Sequence, residues 1–150
     1  MKIAIGNDHR GFNLKLKLAG YLEELGHEVL DMGFHSDEAS DHPLAAIKVG
    51  EAVVAGDVDR GIVICGSGVG VTIAANKVPG VYAFSPTSEL QAQWSRKHNA
   101  TNVIAFGADF IGVELAKSIL TVWLKTETDA NERYTRRRGQ ISNYERKIQE

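Results

Sequence analysis

The residues best suited to chemistry lie in one run, Cys65-Gly66-Ser67-Gly68-Val69-Gly70, directly after the apolar Ile62-Val63-Ile64. Glycines let a backbone turn tightly and expose several N–H donors, and a helix starting just beyond adds partial positive charge. Such a loop favours an anion: a phosphate, a carboxylate or an enediolate oxygen. A cysteine there feels the same helix terminus, which favours thiolate over thiol, so Cys65 is a candidate base or nucleophile. The alternative is a buried cysteine acting as a small hydrophobe beside glycines needed only for close packing. The spacing Gly66-x-Gly68-x-Gly70 is not the G-x-G-x-x-G of a dinucleotide loop, and no carboxylate follows the next strand at Phe84-Ser85. No G-K-[ST] is present either, so both nucleotide readings are weak.

Three other groups are candidates. Asp8-His9 follows the first apolar run, where a histidine can donate to a phosphate or move a proton near neutral pH. The alternative is a capping aspartate and a solvent-facing histidine. His98-Asn99 stands between a predicted helix and a predicted strand, which by simple alternation is the opposite sheet edge from Cys65. His98 would need a neighbouring subunit or an unusual loop to reach that loop; otherwise it complements a helix C-terminus. Arg133, Arg136, Arg137 and Arg138 crowd the end of the chain. Arginines four apart share a helix face, and a guanidinium binds phosphate bidentately, although a solvated basic face is the alternative. Only Tyr134 and Tyr144 are near for stacking, which argues against nucleic acid. His35, Asp37, Asp41 and His42 match no metal-ligand spacing.

The elements that must position these residues alternate regularly. Strands are predicted at residues 2–5, 27–31, 61–64, 81–84 and 103–106, and helices at 14–25, 45–54, from the glycine loop to 75, 88–98 and 111–124. Strands that are apolar on both faces and alternate with helices indicate a parallel sheet covered on both sides. Open sheets of this kind bind ligands beyond the carboxyl ends of their strands, where Cys65 and Asp8 both fall. Residues 131–150 read as a polar terminal helix with only Ile141, Tyr144 and Ile148 to bury, so docking on another subunit is expected.

The 150 residues fit one domain, since a domain takes roughly 100–200. Lys+Arg 17 against Asp+Glu 19 gives a net charge of -2, which excludes a protein that coats nucleic acid. No apolar run approaches the roughly 20 residues of a membrane span. The single cysteine makes neither an internal disulfide nor a multi-cysteine zinc site. With no signal peptide at the start, a cytoplasmic location is expected.

Taken together, several segments resemble the ribose-5-phosphate isomerase B family, which includes the galactose-6-phosphate isomerase subunits. The matching stretches are Gly6-Asn7-Asp8-His9-Arg10-Gly11-Phe12, Ser40-Asp41-His42-Pro43, residues 61–70, residues 73–80 and Ser95-Arg96-Lys97-His98-Asn99. Arg133 and Arg137 match the family's C-terminal spacing. The resemblance implies a Rossmann-like three-layer α/β/α subunit that works as a homodimer or homotetramer, with active sites shared between subunits and neither metal nor nucleotide. It implies interconversion of D-ribose 5-phosphate and D-ribulose 5-phosphate through a cis-enediolate, or the same reaction on another sugar phosphate of four to six carbons. By position, Cys65 would move the proton between C1 and C2, and Ser67 and His98 would open the sugar ring. Asp8 and His42 would lie near the sugar, and Asn99 would line the pocket. The amides of Gly66, Gly68, Val69 and Gly70 would hold the oxyanion, and His9, Arg133 and Arg137 the phosphate.

The chain departs from that family at four places. His42 stands where tyrosine is usual, Ser85-Pro86-Thr87 replaces a Cys-His-Asp type of stretch, Asp109 replaces an arginine, and Arg10 replaces a small or apolar residue. A cation gained at Arg10 for one lost at Asp109 would be compensation if the two positions adjoin. A non-catalytic sugar-phosphate-binding subunit is the reading from another class, but it has no need for Cys65, Ser67 and His98.

Overall fold

A computed structural model describes residues 1–150. Five parallel strands, β1 (Lys2–Asn7), β2 (Glu28–Asp31), β3 (Arg60–Cys65), β4 (Ala83–Phe84) and β5 (Val103–Gly107), form one sheet in the order β2-β1-β3-β5-β4. The helices are α1 (Phe12–Glu24), α2 (His42–Ala55), α3 (Val69–Ala75), α4 (Glu89–Asn99), α5 (Val113–Lys125) and α6 (Glu132–Lys147). This is the α/β/α sandwich that the alternating pattern indicates.

Side chains alternate across a strand, and here the two faces differ in size. Ile3, Ile5, Ile62, Ile64, Ile104 and Phe106 point to one layer, where they pack on Leu18 and Leu22 of α1 and on Leu120 and Trp123 of α5. Ala4, Val63, Cys65, Val103 and Ala105 point to the other, against α2 and α3. The second face admits a close approach. A Cβ on Gly61 would lie 2.6 Å from Val49 of α2, so glycine is required there.

The strand order reverses between β1 and β3, the switch point at which open sheets form a ligand crevice. The segment after β1 carries Asp8, His9 and Arg10, and the segment after β3 carries the glycine loop. Because β5 lies beside β3, the residues after Gly107 adjoin that loop as well: the amides of Ala108 and Asp109 donate to the carbonyls of Cys65 and Gly66.

Several boundaries shift by one to three residues from the sequence expectations, and three of the differences have a visible cause. The second helix begins at His42 rather than residue 45, because a proline is tolerated in a first turn, whose N–H has no intrahelical partner. The fourth strand is only Ala83–Phe84 rather than 81–84. The Asn102 side chain accepts from the Tyr82 amide, and the Asn76 side chain holds both the N–H and the carbonyl of Ala83. Leu25, expected on the buried stripe of α1, caps that helix and is exposed, with the chain turning at Gly26 at φ +84°.

Candidate active site

The loop after β3 is shaped by its cysteine. Cys65 is buried, and the Gly68 amide donates to its Sγ at 3.2 Å. Gly68 sits at φ +80°, in the left-handed region that favours glycine, and is the N-cap of α3. Ser67 is exposed, and its Oγ accepts from the Val69 amide at 3.2 Å. The amides of Gly68 and Val69 are therefore already engaged. Those of Gly66, Ser67 and Gly70 have no partner within the chain and are free to meet an oxygen.

Each glycine of the loop lies under one of the chain's unusual residues. A Cβ on Gly66 would lie 2.7 Å from Arg10 Nε and 2.9 Å from Asp109 Oδ2. One on Gly68 would lie 2.9 Å from Ser85 Oγ, and one on Gly70 would lie 2.4 Å from His42 Nε2. Arg10 and Asp109 do adjoin: Nε donates to Asp109 Oδ2 at 2.8 Å, and Nη2 donates to the same oxygen. The two positions thus meet the condition of proximity on which compensation between the substitutions depends.

Asp8 and His9 reach the same edge. Asp8 is buried, and its Oδ1 accepts from the amides of Arg10 and Gly11 at 3.0 and 3.1 Å, so it builds the turn into α1. His9 Nδ1 lies 3.2 Å from both the amide and the carbonyl of Ser40, which fixes the ring at Nδ1.

The second group is elsewhere in the chain. His98 and Asn99 close α4 just before β5 begins, at the start of the strands rather than their ends. His98 stacks on Tyr134 of α6 with ring centroids 4.3 Å apart, and Trp94 lies 5.4 Å from it on another side. The Arg138 guanidinium donates to the His98 carbonyl at 3.1 Å and so ties α6 to the end of α4. Arg133 packs over the Tyr134 ring and donates to its hydroxyl, whereas Arg137 is exposed. His98 and Asn99 share a pocket with Asn76, Tyr82, Trp94 and Thr101, and none of the Cys65 loop lines it.

One chain therefore separates the candidate residues into two candidate half-sites: Cys65, Ser67, Asp8, His9 and His42 at the carboxyl edge, and His98, Asn99, Arg133 and Arg137 on the opposite flank. Trp94, and the roles of Tyr134 and Arg138 in holding His98, carry no signal in the sequence. Tyr134 falls next to Arg133 in a polar helix, and only its stacking on His98 marks it. No group of three or more His, Cys, Asp or Glu side chains is arranged to hold a metal ion. No helix is long and apolar enough to cross a membrane.

The comparisons with known proteins agree on one family. The ribose/galactose isomerase family model matches residues 3–141. The chain is 51% identical to ribose-5-phosphate isomerase B of Escherichia coli over 123 residues, 82% of this chain and 83% of that one. It is 40% identical over 128 residues to D-erythrulose-4-phosphate isomerase of Pectobacterium atrosepticum, covering 85% and 84% of the two chains. The solved structure of ribose-5-phosphate isomerase B from Clostridium thermocellum superposes with a TM-score of 0.96 at 47% identity, covering 99% of both chains. With the family model matching residues 3–141 and the same fold over 99% of its length, the chain belongs to the ribose/galactose isomerase family.

Proposed function

We propose that this chain is a cofactor-independent isomerase that interconverts D-ribose 5-phosphate and D-ribulose 5-phosphate. The observation that carries the reading is the Cys65 loop: a buried thiol with an amide at its sulfur, beside the unpartnered amides of Gly66, Ser67 and Gly70 at the carboxyl edge of the sheet. In the thiolate form, Cys65 takes the proton from C2 of the open-chain aldose. The electron pair left on carbon becomes the enediolate double bond, and the charge moves to the carbonyl oxygen at C1. The Ser67 and Gly70 amides meet that oxygen, where donors fixed at the site of developing charge stabilise most. Return of the proton to C1, with the hydroxyl proton at O2 passing to the oxyanion at O1, gives the ketose.

The two half-sites meet when a second copy of the chain supplies the flank carrying His98, Asn99, Arg133 and Arg137. The protein is then a homodimer, or a tetramer built from dimers, with each site at an interface. His98 and Ser67 open the sugar ring, and His9, Arg133 and Arg137 hold the phosphate, whose binding energy fixes the geometry of the reacting carbons. The enzyme acts in the cytoplasm on a free sugar phosphate.

A second reading keeps the chemistry and changes the sugar. Arg10, Asp109, Ser85 and His42 all press on the loop glycines, which supports a substrate of another length among four- to six-carbon sugar phosphates. Proton NMR in D2O separates the readings, with ribose 5-phosphate and a panel of other aldose phosphates, for wild type and Cys65→Ala. Ketose formation and exchange at C2 from ribose 5-phosphate, abolished in the variant, are expected. Turnover of a different sugar alone moves the substrate. No exchange with any of them, in folded protein, leaves a sugar-phosphate-binding subunit.

A further inference from the structure

We propose that Arg10, oriented by Asp109, is a phosphate ligand of the Cys65 site. The proposal rests on the isomerase reading only for the identity of the anion. The geometry of the pair is specific. A guanidinium has five N–H donors, and Asp109 takes two of them, Nε–H and one on Nη2, through a single oxygen. Its end-on edge, Nη1 with the second Nη2 hydrogen, stays open, and that edge matches two oxygens of a phosphate.

The arginine is fixed at both ends. Its amide donates to Asp8 Oδ1 at 3.0 Å, and its head is held by Asp109, whose own amide is bonded to the Gly66 carbonyl at 3.0 Å. The pair therefore rests on Gly66, one residue of backbone, about 3.8 Å, from the proposed base. Arg10 and Asp109 keep 58% and 40% of their side-chain surface exposed, a setting in which an ion pair contributes little to stability. It supplies instead a cation held in place before the substrate arrives, which lowers the ordering cost of binding.

Arg10 also lines a cleft of about 310 Å³ with Asn13 and Lys17 of α1, which no residue of the Cys65 loop lines. Lys17 is therefore the control. Binding of inorganic phosphate to the purified full-length protein is measured by calorimetry for wild type, Arg10→Gln, Lys17→Gln, Asp109→Ala and Asp109→Asn. Arg10→Gln is expected to weaken phosphate roughly 10- to 100-fold and to raise KM for ribose 5-phosphate with it. Lys17→Gln should match wild type. Asp109→Ala should lose affinity through the unanchored guanidinium, and Asp109→Asn, which still accepts from it, should recover most of the loss.

Phosphate bound as tightly by Arg10→Gln as by wild type, or not bound by wild type at all, overturns the proposal. An equal loss in Lys17→Gln moves the anion to the cleft and overturns it too. Unchanged binding in Asp109→Ala removes the positioning role. A wild type that binds phosphate through Arg10 but isomerises no sugar phosphate leaves this inference standing and removes the isomerase reading instead.

Discussion

Lys15 carries its charge where only 1% of its side chain meets solvent, with Nζ 2.8 Å from Asp31 Oδ2 and 2.6 Å from the Phe34 carbonyl. It has no part in the chemistry, yet it ties α1 to the loop after β2. Lys15→Ala leaves both acceptors without their donor. Asp31 keeps access to water at 35% exposure, so the loss is expected to be about 2–3 kcal/mol, below the 3–5 kcal/mol of a fully buried pair. Lys15→Met, which keeps the packing of the aliphatic stem, should lose less. Urea unfolding checks both, and a Lys15→Ala protein as stable as wild type would refute the assignment. His27 gives a pH dependence at the same scale. Burial, and then the Met1 ammonium beside its ring, lower its pKa from the ordinary 6.5. The unfolded chain then takes up the proton more readily, so stability is full above about pH 6.5 and falls as the pH drops through the lowered value. His27→Gln should flatten the dependence of the urea midpoint between pH 7 and 5.

Glycines of this chain separate into those the loop requires and those it does not, and the distinction is visible only at the scale of elements. Gly68 holds φ +80°, and a Cβ there would lie 2.9 Å from the Gly107 amide nitrogen. Gly68→Ala is expected to cost at least about 1–2 kcal/mol and to abolish turnover, because the shifted amide no longer meets Cys65 Sγ. Gly20, inside α1 with nothing within 4 Å of its Cβ position, should gain about 0.5–1 kcal/mol as alanine. Thermal melts of the two variants should move in opposite directions. Element identity was legible in the sequence because burial imposes its period: β3 is apolar on both faces, and Leu14, Leu18 and Leu22 repeat along α1. Strand order was not, since alternation fixes the succession of elements but not which strands are neighbours. The placement of β5 beside β3 is what sets Asp109 on Gly66, so the Arg10–Asp109 contact was a conditional expectation until topology supplied it. Side-chain competition was equally hidden: nothing in the apolar pattern of residues 81–84 shows that Asn76 and Asn102 occupy the backbone groups of that strand.

At the scale of the whole molecule, one chain leaves apolar side chains uncovered on three helices, which supports the proposed pairing with a second copy. Val69 and Ile73 on α3, Leu90 and Trp94 on α4, and Ile141 and Tyr144 on α6 are each at least half exposed. Helix α6 has no buried residue, although its stacking on His98 and the bond from the Gly80 amide to Glu145 hold it against the body. A second copy covering this surface would join the His98 flank of one chain to the Cys65 loop of the other, and that arrangement makes a prediction that a self-contained site does not. Cys65→Ala removes the base and Arg137→Ala a phosphate ligand, so each homodimer should be close to inactive. When the two are mixed and allowed to exchange subunits, random pairing makes half of the dimers mixed. One of the two sites in each mixed dimer then combines an intact loop with an intact flank, and activity should return to about a quarter of wild type. Sedimentation of the separate variants as dimers checks the assembly first. If activity stays absent after exchange is verified, the loop and flank of a single chain must act together, and the site proposed at the interface is wrong.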